Sequence, residues 1–168
     1  MYRIPGFSLT RERIWAPDIL GDEGVKVDWS IFPAVWGHGG PPQFKIAEPC
    51  LVRTGQGHTL KELPLNTRST LGNKIVFSGG GYFRLFPYLL LEKLFADSEY
   101  VMTYFHPRDF DASQSLIPNL SALRRFKSYA GLKGAEAKLV RLLNEFQFVD
   151  VRTAVSQVDW DTAPVVQV

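Results

Sequence analysis

A chain of 168 residues is long enough for one domain with a sizeable core, and a hydrophobic fraction of 45% with 13% aromatics excludes a disordered chain. Its 19 basic and 17 acidic residues leave a net charge of +2, too small an excess to make nucleic acid the partner. Cys50 stands alone, which rules out an internal disulfide and a cysteine-cluster zinc site.

In chain order, Met1 to Phe7 is strand-like, and Thr10 is placed to cap a helix running to about Leu20, with Gly21 and Gly24 ending it. Pro17 interrupts that helix. Val25 to Asp28 alternates as a short strand and leads into Trp29-Ser-Ile-Phe-Pro33, after which Ala34 to Pro49 reads as a long Gly/Pro-rich surface loop. Leu60 to Thr67 alternates weakly, with Pro64 suggesting an edge strand, and Lys74 to Phe77 is another short strand. Ser78-Gly-Gly-Gly81 opens a helix over Tyr82–Ala96; its Arg84, Pro87, Glu92 and Lys93 exclude a membrane span. Tyr100 to Phe105 is the clearest strand, followed by a loop to Asn119 and by helices over about Ser121–Ala130 and Ala135–Phe146. Phe148 to Arg152 is expected to close the sheet, and the aperiodic segment Ser156–Val168 is expected to be a loose tail. Strands alternating with helices predict an α/β fold with a largely parallel sheet. No basic region followed by an apolar stretch opens the chain, so a cytoplasmic location is expected.

Three places carry chemical interest. His106 sits where the chain leaves a strand at its carboxyl end, the position at which α/β folds put active groups, and an imidazole exchanges protons near neutral pH. The ordinary alternative is a loop histidine without a role. Ser78 to Gly81 exposes backbone N–H groups before a helix, as phosphate loops do, but it lacks the Lys-Ser/Thr of such a loop, and a tight strand-to-helix turn is the leading reading. Arg3 could pin a carboxylate with its planar fork or lie at the surface, and Asp28 ends a strand in the same way as His106. The three histidines, His38, His58 and His106, show no metal-ligand spacing.

Taken together these segments resemble the polysaccharide deacetylases of the NodB-homology group, in the branch associated with exosortase and exopolysaccharide gene clusters. The resemblance runs from Tyr2 to about residue 155. It is carried by Gly79-Gly-Gly-Tyr-Phe-Arg-Leu-Phe-Pro-Tyr88, by Tyr104-Phe-His-Pro-Arg-Asp-Phe-Asp111, by Tyr2-Arg-Ile-Pro-Gly-Phe-Ser8 and by Asp28-Trp-Ser-Ile-Phe-Pro33.

The resemblance implies a distorted (β/α) barrel that hydrolyses N-acetyl groups, sometimes O-acetyl groups, of a carbohydrate with the help of zinc or another divalent metal. By this likeness His106 matches the histidine that gives a proton to the leaving amine. Asp28 matches the aspartate that tunes that histidine, and Arg3 the arginine that orients the catalytic base. Phe105, Tyr82, Arg84 and Trp29 are the implied substrate-binding residues. Gly6 stands where many members carry an aromatic residue. The motifs that hold the metal and the base precede the arginine motif in the family and have no counterpart here. The implied protein is therefore the carboxyl-terminal part of such a deacetylase, over about residues 1–155, expected to bind no metal and to be inactive by itself. Its expected partners are a carbohydrate and either the missing half or a second copy across an open sheet edge. A degenerate sugar-binding or interaction module is the alternative.

Overall fold

The computed structural model describes residues 1–4, 9, 13–33, 44–70 and 73–168, and these form a mixed α/β fold in two compact units. The first unit comprises Met1–Lys74 and Val149–Val168, the second Ile75–Phe148. Among the described residues the strands form no closed barrel.

The first unit begins with α1, Ala16–Asp22, which is shorter than the helix expected from Thr10; Pro17 falls in the first turn, where its missing N–H is no loss. Thr10 lies outside the described residues. A four-stranded sheet follows, built from β1 (Val27–Asp28), β2 (Cys50–Arg53), β3 (Thr59–Glu62) and β6 (Val165–Gln167) in the order β1-β3-β2-β6. β1 pairs parallel with β3, β3 antiparallel with β2, and β2 parallel with β6, so the sheet is mixed rather than largely parallel. β2 was not predicted: it forms a hairpin with β3 through a turn closed by Thr54 N–H to His58 O at 3.0 Å, with Gly57 at φ 88°.

β3 is central and not the predicted edge, because Pro64 lies beyond its last residue and costs the ladder no donor. Cys50, Val52, Leu60 and Val166 of the sheet bury against Leu9, Leu20, Ile31 and Phe44. Each such side chain contributes about 1.5–3 kcal/mol. A ribbon of β4 (Arg68–Thr70) and β5 (Asn73–Ile75) then leads into the second unit.

The segment expected to close the sheet is instead the helix α6, Val151–Gln157, started by Asp150, whose carboxylate accepts the Thr153 N–H at 3.0 Å. The stretch beyond it supplies β6, and Trp160 anchors it by donating Nε1–H to Val155 O at 2.8 Å, with Lys61 Nζ 4.9 Å from its ring centre.

In the second unit the helix expected over Tyr82–Ala96 is two, α2 (Gly80–Leu85) and α3 (Tyr88–Ala96), because Pro87 cannot donate within a continuous helix. Helices α4 (Ala122–Tyr129) and α5 (Leu132–Glu145) follow. Tyr100 to Phe105, predicted as the clearest strand, makes an isolated parallel bridge between Tyr104 and Gly79 rather than a ladder. Phe77, Phe83, Leu91, Phe95 and Leu142 form this unit's core, with Phe95 meeting Phe77 edge-on at 5.4 Å.

Candidate functional site

In the first unit three parallel segments end side by side. Tyr2 N–H donates to Val27 O at 2.9 Å and Trp29 N–H to Tyr2 O at 3.3 Å, while Lys61 N–H donates to Lys26 O at 2.9 Å and Leu63 N–H to Asp28 O at 3.0 Å. This register sets Arg3, Asp28 and Glu62 at neighbouring carboxyl ends, where open α/β sheets place their ligands.

Asp28 and Glu62 are 2% and 1% exposed, and their carboxyls hydrogen-bond to each other. Ser30 Oγ–H donates to Asp28 Oδ1 at 2.6 Å and accepts the Ile4 N–H at 2.7 Å, and Ile31 N–H donates to a Glu62 oxygen at 2.9 Å. Burial pushes the Asp28 carboxyl up, opposed by the Ser30 and Glu62 hydrogen bonds. Burial raises Glu62 well above the usual carboxylate range, and the charge of Asp28 raises it further. Sequence reasoning missed Glu62. The available signal was its place two residues after Leu60, on the buried face of an alternating strand.

In the second unit the glycine run brings two chain segments into backbone contact. Tyr104 N–H donates to Ser78 O and Gly80 N–H to Tyr104 O, each at 3.2 Å, and Ser78 Oγ–H donates to Met102 O at 2.8 Å. A Cβ on Gly79 would lie 1.9 Å from Tyr104 O, so only glycine permits the approach, and Gly80 at φ 54° starts α2. The Gly80 N–H is thus committed to Tyr104 rather than turned outward as a phosphate cradle would require.

Downstream, the His106 main chain is held from both sides: its N–H donates to Asp109 Oδ2 at 2.9 Å and its C=O accepts the Asp109 N–H at 2.8 Å. Asp109 is buried and faces Arg84, whose Nε lies 3.4 Å from Asp109 Oδ1. The Arg84 guanidinium also donates to Ser128 O and Lys127 O, each at 2.8 Å, at the end of α4. The His106 ring is exposed, and its Nε2 is hydrogen-bonded to the Tyr104 hydroxyl.

Of the residues predicted from sequence, Arg3, Asp28 and Trp29 belong to the first unit and Tyr82, Arg84, Phe105 and His106 to the second. Trp29 is half-buried and Tyr82 exposed, its ring 5.7 Å from Phe86. Phe105 packs edge-on against Phe83 at 4.8 Å and against Phe110 at 5.3 Å, while Arg84 is buried and directed at main-chain carbonyls and Asp109. His58 pairs with Asp22 at 2.9 Å, and His38, Pro5 and Gly6 lie outside the described residues. Among the described residues no group of three or more His, Cys, Asp or Glu side chains is placed to hold a metal ion. None of their helices is long and apolar enough to cross a membrane.

No curated protein and no solved structure matches this chain. Residues 29–156, well over half of it, match the model of a domain of unknown function, DUF3473, and the chain belongs to that family.

Proposed function

We propose that this chain forms the carboxyl-terminal part of a carbohydrate N-deacetylase, a portion of the distorted barrel that its motifs resemble. The observation that carries the reading is the mounting of His106. Its main chain is clamped by Asp109 on both sides, its ring meets the Tyr104 hydroxyl, and the ring remains exposed. A fixed backbone with an accessible imidazole is the arrangement a general acid needs.

In N-deacetylation water adds to the acetyl carbon, the carbon–nitrogen bond breaks, acetate leaves and the amine nitrogen takes up a proton. His106 gives that proton. Within the first unit, Asp28 is the working carboxylate and Arg3 its neighbouring guanidinium. The zinc implied by the resemblance does not fit the described residues, which lack a ligand cluster, and no step is assigned to it. Activation of the water falls to groups outside them. The proposed partners are the acetylated sugar and a polypeptide edge pairing beyond Tyr2, where the described ladder ends.

An NMR titration tests the reading. Adding an N-acetylglucosamine disaccharide should shift the His106 and Tyr104 ring signals, and the same sugar without acetyl groups should shift them less. Equal shifts with both sugars would favour a non-catalytic sugar-binding module, and no shift at millimolar sugar would remove carbohydrate as the ligand.

A further inference from the structure

Glu62 lies against Asp28 with both carboxyls almost fully removed from water. Two carboxylates in contact in such a place cannot both stay ionised at modest cost. We propose that Glu62 is the positioning acid of Asp28: the two carboxyls share one proton, donated from Glu62 to Asp28, and this bond together with the Ser30 hydroxyl fixes the direction in which the Asp28 carboxylate faces. Glu62 is itself aimed by the Ile31 N–H at 2.9 Å, and Ser30 is aimed by the Ile4 N–H at 2.7 Å. One network therefore ties the segment carrying Arg3 to β1 and β3. The inference names a further residue for the activity proposed above and takes from it only that Asp28 is a working carboxylate.

Titratable groups lie on each of the neighbouring elements. From β2, Cys50 stands opposite Glu62 in the ladder, a thiol held neutral by burial, and Glu48 precedes that strand. From α1, Asp18 accepts the Gln56 N–H and Asp22 pairs with His58. From the edge segment, Arg3 follows Tyr2, and on β3 itself Lys61 stands over Trp160.

The shared proton has a signature that a merely space-filling residue lacks. A carboxyl that keeps its proton when folded but loses it when unfolded makes stability fall as pH rises above its unfolded value, by up to about tenfold in the folding equilibrium per pH unit. Urea unfolding of the full chain from pH 5 to 8 should show this decline, and E62Q should flatten it while its amide still donates to Asp28. Carbon-13 spectra of the unmodified chain should keep the Glu62 carboxyl in its protonated range at pH 7, a readout that does not require the variant to fold. A Glu62 carboxyl titrating like an exposed glutamate, or an E62Q slope equal to that of the unmodified chain, would overturn the proposal. Neither measurement involves sugar, so the proposal can fail while the deacetylase reading stands, and the reverse.

Discussion

Replacing Arg84 by methionine isolates the contact that supports the His106 loop. Arg84 and Asp109 are 7% and 6% exposed, so the variant leaves a buried carboxylate facing an apolar side chain. Removing one partner of a buried ion pair costs about 3–5 kcal/mol, most of it from the charge left behind. The two hydrogen bonds to Lys127 O and Ser128 O add less, because those carbonyls end the exposed helix α4 and water can replace the donor. A loss of about 3–5 kcal/mol is therefore expected in urea unfolding, read as a shift in midpoint at unchanged slope. If the orphaned charge is the cause, R84M/D109N should be more stable than R84M by at least about 1 kcal/mol, since asparagine still accepts the His106 N–H without a charge. An R84M protein within about 0.5 kcal/mol of the parent, or a double variant whose cost is the sum of the single ones, would refute the reasoning.

Gly79→Ala should separate the two segments that Tyr104 and Ser78 bridge, because the backbone oxygen 1.9 Å from the new Cβ cannot rotate away. Two hydrogen bonds at about 0.5–1.5 kcal/mol each put the loss near 1–3 kcal/mol, with amide signals of 104–109 displaced in proton–nitrogen spectra. Cys50 is fully buried, and burial pushes its thiol from an ordinary 9.0 up to about 12. It should resist iodoacetamide at pH 8 in the folded chain and react once urea unfolds it. Stability held by the protonated thiol should then fade as pH climbs from about 9 towards 12, the sign expected for a group whose folded value is raised.

What the sequence disclosed and what it hid divide along the range of the interactions. Leu139 and Leu142 announce α5 because helical spacing is local, whereas the apolar run over Tyr82–Ala96 reads as one helix and hides the break that Pro87 makes between α2 and α3. Asp150 reads as the middle of a strand over Phe148 to Arg152 until its carboxylate is seen to accept the Thr153 N–H, which makes it the start of α6. Tyr100 to Phe105 has the composition of a strand, yet a strand needs a partner, and composition does not name one; the segment makes one bridge, at Tyr104. Likewise the position of Asp28 at a strand end was visible, but Glu62 is a partner from another strand, 34 residues on, and only pairing in register brings the two carboxyls together.

The glycine-rich segment shows how a motif can matter through the support it gives to another residue. Gly79 admits the Tyr104 backbone, Gly80 turns the chain into α2, Phe83 fills the core beneath Phe105, and Arg84 reaches across to Asp109, which holds His106. Each of these side chains or missing side chains is accounted for by a contact inside the second unit. Together they determine where the imidazole stands. A change in any of them is therefore expected to act on His106 through position rather than through loss of a sugar contact. On this reasoning the residues that resemble a family signature most closely are the support of the candidate site, and the proposed chemistry is assigned to the exposed ring that they hold in place.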